Sequence, residues 1–276
     1  MVQRYKTTLK ELTIKANFND AIDRNMFFKH LSLLKRLSFF SITCFDCDYY
    51  SKDLIKNIQL MANNCKQLRK ICFSLIDRKS FNRNHFFESF ANFLNLRELS
   101  LSTDSKDIQF EDELNINCLQ NCKLLTHLEI RSQKINDNLF TEIHSIVPQL
   151  KVFKIRTDED ITDIALESIS KLNNLEIISF DALYYNTISD FKSMTDSGLM
   201  SVINNCSNFL SIQFHKRPNI THKTIELVIE KALKNPRICF NHYFEGIEEE
   251  VEGFTAIDMK TYNPLPKNLI INPLSH

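Results

Sequence analysis

A six-residue apolar pattern, Leu-x-x-Leu-x-Leu with Ile or Phe as occasional replacements, recurs along this 276-residue chain and constrains its fold more than any other feature. The copies are Leu9-x-x-Leu12-x-Ile14, Leu34-x-x-Leu37-x-Phe39, Leu68-x-x-Ile71-x-Phe73, Leu96-x-x-Leu99-x-Leu101, Leu125-x-x-Leu128-x-Ile130, Leu150-x-x-Phe153-x-Ile155, Leu175-x-x-Ile178-x-Phe180 and Phe209-x-x-Ile212-x-Phe214, with a degenerate ninth ending at Ile238-x-Phe240. Successive first positions lie 25 to 34 residues apart. A unit of that length cannot bury its own apolar face, so the spacing predicts stacked repeats.

Each unit contains a strand pattern followed by a helix pattern. The alternation within the six-residue motif is typical of a strand with one buried face. Helical spacing follows in several units, as in the four sets Leu54, Ile55, Ile58, Met61; Leu139, Ile143, Ile146; Ile164, Leu166, Ile169, Leu172; and Ile225, Val228, Ile229, Leu233. These units predict an α/β solenoid, a right-handed horseshoe with its parallel sheet on the concave face and its helices outside.

Two further motifs recur at the two ends of the helices. Their beginnings carry Ile135-Asn136-Asp137, Ile161-Thr162-Asp163, Met194-Thr195-Asp196 and Ile220-Thr221-His222, in which Asn, Thr and Asp are good N-cap residues. Three helices are followed by cysteines at the same repeat position, Cys65, Cys122 and Cys206. A cysteine three residues before the apolar motif is expected to be buried as a small hydrophobe, with its thiol unpaired.

The combination Cys-x-x-Leu-x-x-Leu-x-Leu, followed by Ile-Thr-Asp and an amphipathic helix, resembles the cysteine-containing class of leucine-rich repeats. That class is best known from the F-box and leucine-rich-repeat proteins, which are substrate receptors of SCF ubiquitin ligases. The resemblance covers about residues 9 to 240 and implies a leucine-rich repeat solenoid that recruits a target protein. We find no F-box in this chain, so the resemblance implies binding of the SCF adaptor only if an F-box lies outside it.

Composition excludes several other classes of protein. The 34 Lys and Arg residues balance 34 Asp and Glu residues, which disfavours nucleic-acid and membrane-surface partners. Only three glycines are present, too few for a phosphate-binding loop or a dinucleotide fingerprint. With no export signal at the N-terminus, the eight cysteines are expected to be reduced thiols in the cytoplasm, the nucleus or both.

Metal binding and catalysis have little support in the pattern of residues. Cys44-x-x-Cys47 stands alone, whereas a structural zinc site usually needs two such pairs. No Gly-x-Ser-x-Gly nucleophile elbow is present. We therefore expect no enzyme activity, no cofactor and no metal site.

The solenoid is predicted to occupy residues 1–240 in eight to nine units, followed by a C-terminal cap and tail at 241–276. The tail contains an acidic run from Glu245 to Glu252 and prolines at 264, 266 and 273. One interpretation is a solvated cap. The alternative is a tail that folds back over basic residues of the concave face, with which its charge is complementary.

The third, fifth and seventh motif positions are expected to point away from the helices. For units two to four these are Arg36, Ser38, Phe40, Lys70, Cys72, Ser74, Glu98, Ser100 and Ser102, and for units five and six they are His127, Glu129, Arg131, Val152, Lys154 and Arg156. A cationic cluster is thus predicted in the middle of the face, where it can pair with carboxylates or phosphates of a partner. The alternative is an ordinary solvated face.

Two units are longer than the others, with extra residues at Cys44 to Lys52 and Asp181 to Lys192. Each insertion carries a tyrosine pair, Tyr49-Tyr50 and Tyr184-Tyr185. Insertions in repeat proteins often lie on the binding side, although tolerated surface loops are the simpler explanation. The predicted partner-binding residues are His127, Arg131, Lys154, Arg156, Tyr184 and Tyr185. The function indicated is substrate recognition for an SCF-type ubiquitin ligase, and the alternative is a repeat-only scaffold or regulator.

Overall fold

The fold is that of a computed structural model of the whole chain. It describes residues 5, 7–17, 21–45, 52–76, 87–104, 116–132, 135–181, 193–214, 221–234, 239–244 and 271–273.

The strands form one parallel sheet whose spatial order follows the sequence, β1 to β10. They are β1 Glu11–Asn17, β2 Phe39–Phe45, β3 Lys70–Ile76, β4 Glu98–Asp104, β5 His127–Ser132, β6 Val152–Arg156, β7 Ile177–Asp181, β8 Ser211–Phe214, β9 Cys239–Phe244 and β10 Ile271–Pro273. Each repeat unit adds one strand beside the last, which confirms the predicted α/β leucine-rich repeat fold. The sheet has one strand more than the number of units expected, because β10 pairs with β9. The division of the chain at residue 240 stays a prediction.

Helices alternate with the strands. They are α1 Ala21–Leu31, α2 Lys52–Asn64, α3 Ile143–Ile146, α4 Asp163–Ile169, α5 Asp196–Asn205 and α6 His222–Lys234, with 3₁₀ helices at Ile116–Leu119 and Asp137–Phe140. The single helix expected over Leu139 to Ile146 is instead a 3₁₀ turn followed by one turn of α-helix. The break lies at Glu142, whose φ of 61° is left-handed and cannot continue a right-handed helix.

The core lies between the sheet and the helices. Alternate strand residues such as Leu128 and Ile130 are 1% exposed, and they share one apolar cluster with helix residues such as Leu166 and Ile169. Ile164, which the helical pattern assigned to the buried side of its helix, is 64% exposed. It is the second residue of α4, and at 3.6 residues per turn it lies on the side of the helix opposite the buried Leu166.

The register of unit two differs from the sequence prediction by three residues. Phe40 pairs with Ile71 of β3 and Ile42 with Phe73, so the motif of this unit is Leu37-x-x-Phe40-x-Ile42. Phe40 is therefore buried, and Arg36 lies exposed in the turn before β2, so neither belongs to the face to which it was assigned. Leu34 takes the repeat position of Cys65. Both frames satisfy the apolar pattern, and only pairing with β3 selects one.

The corrected frame shortens unit two by three residues. With first positions at Leu9, Leu37 and Leu68, the first two spacings become 28 and 31 residues instead of 25 and 34. The bounds proposed for the insertion, Cys44 to Lys52, are therefore wrong: Cys44 is a buried residue of β2, and Lys52 begins α2, while residues 46–51 fall outside the described residues.

The repeated cysteines join neighbouring units. The Sγ atom of Cys65 donates to Leu31 O at 3.6 Å, that of Cys122 to Phe90 O at 3.6 Å and that of Cys206 to Ser170 O at 3.7 Å. All three are free and buried, as the sequence predicts. Burial raises the pKa of Cys65 to about 11 and those of Cys122 and Cys206 to about 12, so each stays a neutral donor to the preceding unit.

The motif at the helix entries has two functions. Its middle residue caps its own helix: Thr162 Oγ1 accepts from Ile164 N at 3.1 Å, and Asn136 and Thr195 act in the same way. The carboxylate of its aspartate accepts hydrogen bonds from the backbone N–H and the hydroxyl of the threonine in the next unit, at 2.5 to 3.0 Å. The pairs are Asp137–Thr162, Asp163–Thr195 and Asp196–Thr221. We call this series the Asp–Thr ladder. It connects units five to eight along their helix entries.

Candidate partner-binding face of the sheet

The first, third and fifth residues of each strand lie on the side of the sheet away from the helices, which we call the open sheet face. In β4 to β7 these residues are Glu98, Ser100, Ser102, His127, Glu129, Arg131, Val152, Lys154, Arg156, Ile177, Ser179 and Asp181. In β5 they alternate with buried residues along the whole strand. The alternation follows from strand geometry, since successive side chains point to opposite sides.

The structure brings three of the predicted cations together. Arg131 of β5 and Arg156 of β6 are direct partners in the parallel register, and Lys154 lies two residues before Arg156 on the same face. Neighbouring strands are about 4.8 Å apart, so the two guanidinium groups have adjacent attachment points. Repulsion between them is reduced only where anions are close by.

Asp181 is the anion beside Arg156. Its Oδ2 lies 3.3 Å from Arg156 Nε, and the aspartate is 5% exposed. The repeat spacing predicts Asp181 in the long loop of unit seven, whereas the structure places it as the last residue of β7, in register with Arg156. Extending the strand of unit seven by one residue would have revealed this contact.

Arg131 is less completely paired. Its Nε is buried and has no hydrogen-bond partner among the described residues. Thr103 Oγ1 donates to Arg131 O and to Ser132 Oγ, at 3.4 and 3.1 Å, so the backbone at this point is held between two strands.

A groove of about 250 Å³ lies on the same face towards the beginnings of the strands. Its charged lining residues are Lys70, Glu98, Glu129 and Lys154, and His127 lies among them. Lys70 Nζ lies 2.7 Å from Glu98, and this contact holds the pKa of Lys70 above its usual value. The groove therefore combines both signs of charge, and Lys154 belongs both to it and to the cationic cluster.

His127 lies in this groove and not in the cationic cluster. It is four residues before Arg131 on β5, about 13 Å away along the strand, with Glu129 between them. Its Nδ1 is 2.9 Å from Thr126 Oγ1. The structure thus separates two of the residues that the sequence analysis grouped together.

Tyr184 and Tyr185, the proposed aromatic anchors, fall outside the described residues. Within the part of the chain that is described, no group of three or more His, Cys, Asp or Glu side chains is arranged to hold a metal ion. Over the same residues, no helix has the length and apolar character needed to cross a membrane.

No protein-family model matches the chain, and no curated protein matches it in sequence. Among solved structures, a chain of the crystal structure of the yeast complex of Rad7 and Elc1 is similar to it, with a TM-score of 0.45 and 14% sequence identity. The similarity covers 97% of this chain and 76% of that chain. At this TM-score the likeness supports no assignment of function, so the leucine-rich repeat fold rests on the sheet, its register and the repeated motifs.

Proposed function

We propose that this chain is a protein-recognition module that binds a target protein on the open sheet face of β5 to β7. The observation that carries the proposal is the placement of Arg131, Lys154 and Arg156 on neighbouring strands, with only Arg156 ion-paired within the described residues. The proposed contacts are ionic ones from Arg131 and Lys154, with His127 at the edge and Tyr184 and Tyr185 as aromatic anchors. Recruitment of this kind requires no chemistry from the chain itself.

The three cations differ in what they offer a partner. Arg156 is already bound to a buried carboxylate, so a partner's anion there competes with Asp181. Arg131 retains unused donors, and Lys154 is exposed. A charge-assisted hydrogen bond at a desolvated interface contributes about 1.5–3 kcal/mol, which is roughly tenfold or more in affinity. Arg131 is accordingly the residue whose loss is expected to cost most affinity.

The wider role proposed is that of the substrate-binding repeat region of an SCF-type ubiquitin ligase receptor. The support is the repeated Cys-x-x-Leu-x-x-Leu-x-Leu motif, whose cysteines bond each unit to the previous one. The alternative is a scaffold or regulator with no link to ubiquitin. The two roles differ in the fate of the bound protein, since only a substrate receptor shortens its half-life.

Affinity capture from the source cell tests the binding site. The wild-type chain is compared with Arg131→Glu/Lys154→Glu and with a control, Lys171→Glu, which changes an exposed charge in the turn before β7. Proteins captured by the wild type and the control but not by the double variant support the site. Equal capture of the same proteins by all three contradicts it.

A second measurement separates the two roles. The half-life of the captured protein is followed in cells that lack the gene and in cells to which it is restored. A half-life that lengthens without the gene supports the ubiquitin-ligase role, and an unchanged half-life favours the scaffold.

A further inference from the structure

A second charged surface lies along the edge of the sheet where the chain enters each strand. In units two to six it consists of the two residues before and the one residue after each first motif residue, namely Leu37, Leu68, Leu96, Leu125 and Leu150. Of these fifteen positions seven are cationic and none is acidic, although the chain as a whole has no net charge. The seven are Lys35, Arg36, Lys66, Arg69, Arg97, Lys123 and Lys151, all of them exposed. We call this surface the basic edge.

Backbone hydrogen bonds hold the turns of the basic edge in line. Arg69 O accepts from Arg97 N and Glu98 N at 2.8 and 2.9 Å, and Arg97 O accepts from Thr126 N and His127 N at 2.8 and 3.0 Å. The same pair of bonds recurs between the other units. The turns are therefore stacked at the spacing of the strands, about 4.8 Å, and their cations form a continuous row.

Some of these cations already have partners. Lys151 lies 2.6 Å from Glu176, Lys66 Nζ donates to Ala62 O at 3.2 Å, and Lys123 Nζ donates to Ile146 O at 3.3 Å. The guanidinium groups of Arg36, Arg69 and Arg97 form no ion pair with any described residue. The unpaired guanidinium groups therefore lie in units two to four, the first part of the row.

A groove of about 590 Å³ opens within the basic edge and is lined by Ser38, Lys66, Gln67, Arg69, Asn95, Arg97 and Leu124. Leu124 is 46% exposed, and Leu94 in the neighbouring turn is 56% exposed. The surface thus combines unpaired guanidinium groups with apolar side chains that contact solvent. No aromatic residue occurs at the fifteen positions.

We propose that the basic edge docks an acidic segment of a partner protein, one that carries apolar side chains between its carboxylates. Carboxylates match Arg69 and Arg97, and the apolar side chains match Leu94 and Leu124. A single-stranded nucleic acid is a poorer fit, because such surfaces stack bases on aromatic side chains and this edge offers none. The basic edge is separate from the open sheet face, so a partner docked there leaves the target-binding strands free.

Fluorescence anisotropy with a labelled synthetic peptide of Glu with interspersed Leu tests this docking. The wild-type chain is expected to bind the peptide, and Arg69→Glu/Arg97→Glu to weaken binding by about tenfold or more. The control Lys171→Glu and the open-face variant Arg131→Glu/Lys154→Glu are expected to retain the wild-type affinity. Replacing Leu by Ser in the peptide should weaken binding to the wild type.

Four results would overturn the proposal. The first is a peptide that does not bind the wild type, and the second is equal affinity for the wild type and the Arg69/Arg97 variant. The third is equal weakening by the open-face variant, which would indicate attraction by charge alone. The fourth is an oligothymidylate of equal charge that binds the wild type more tightly than the peptide does and no longer binds the Arg69/Arg97 variant. Arg69→Gln/Arg97→Gln replaces the charge-reversed variant if the latter fails to give the wild-type melting temperature.

Discussion

Within the described residues, units one to four and units five to eight share their architecture and backbone hydrogen bonds but differ in some of the side-chain contacts that join neighbouring units. In the first region, phenylalanine rings of different units contact one another. Phe28 and Phe73 are stacked with their ring centroids 5.9 Å apart, and Phe73 and Phe90 pack edge to face with their centroids 6.1 Å apart. In the second region, the Asp–Thr ladder makes charged hydrogen bonds between units. An aromatic pair, Phe140 and Phe153, occurs there as well, 5.8 Å apart, but it accompanies the ladder.

The difference shows that one repeat spacing can be maintained by two kinds of chemistry. Ring packing depends on volume and shape, so it is sensitive to cavities and insensitive to pH. The ladder depends on ionised carboxylates and on the exact approach of neighbouring helices. The two regions are therefore expected to fail under different perturbations, and because a solenoid contacts only neighbouring units, each failure should remain local at first.

The largest effect is expected from Phe73→Ala. Removing this ring, which is 2% exposed, leaves a cavity between Phe28 and Phe90, and such changes cost about 3–5 kcal/mol of unfolding free energy. Urea denaturation measures the loss of unfolding free energy. Amide hydrogen exchange should show faster local unfolding in α1 to β4. The control Phe39→Ala removes a half-buried ring of the open sheet face, 5.6 Å from Lys70 Nζ, and should cost about 1 kcal/mol or less. Equal acceleration of exchange in α5 and β8 would show that the regions are not separable.

Gly198→Ala is expected to change stability by a smaller amount, and in the opposite direction from the usual effect of this substitution in a helix. In an exposed helix this change usually stabilises by about 0.8–1 kcal/mol. Here a new Cβ would overlap the ladder carboxylate of Asp163 and lie 2.7 Å from Leu166 Cδ1, so we expect a loss of about 1–3 kcal/mol. Thermal melting against Ser197→Ala, an exposed neighbour expected to change stability by less than about 0.5 kcal/mol, tests this. A stabilised Gly198→Ala would mean that α4 and α5 approach less closely.

The smallest effect expected is a loss of stability at low pH that is caused by the Asp–Thr ladder. Burial alone raises the pKa of Asp196, but hydrogen bonds from Thr221 and Thr224 outweigh burial and hold that pKa below its usual value of 3.8. A depressed pKa means that the stabilisation is complete above the unfolded-state value and is lost as pH falls through the folded-state value, below about pH 4. The midpoints of urea denaturation between pH 6 and pH 3 measure this loss. Other carboxylates also titrate in this pH range.

Asp196→Asn isolates the contribution of this one carboxylate. Its urea midpoint should fall less steeply below about pH 4 than that of the wild type, while the control Glu226→Gln on the exposed side of α6 should follow the wild type. Identical slopes for the wild type and Asp196→Asn would show that the ladder does not supply the acid sensitivity.

The architecture was predictable because its signals are local. The motif residues that alternate between buried and exposed lie within six positions of one another, and the caps Asn136, Thr162 and Thr195 act within their own helices. The buried cysteines followed from their place before the motif. These features depend on the period of the strand and the end of the helix, both of which can be read from neighbouring residues.

The contacts of the candidate site were only partly predictable because they join residues of different units. Arg131 and Arg156 were correctly placed side by side, since parallel strands in register align equal motif positions. The Arg156–Asp181 pair was missed because the end of β7 cannot be located from the motif alone. The acceptors of the ladder were missed because the distance between helix entries is set by packing across the core.

The sequence by itself determined that the chain forms stacked strand–helix units with a parallel sheet, because burial of a periodic apolar face allows no other arrangement of such short units. Tertiary structure decided which of two apolar frames unit two adopts, since Leu34 and Leu37 satisfy the motif equally and only pairing with β3 separates them. That choice aligns Lys35 with Lys66 and places Arg36 in the turn before β2, so that both residues belong to the basic edge. The physical reason is that apolar spacing specifies which residues are buried within a unit, whereas hydrogen bonds between units specify which residues meet.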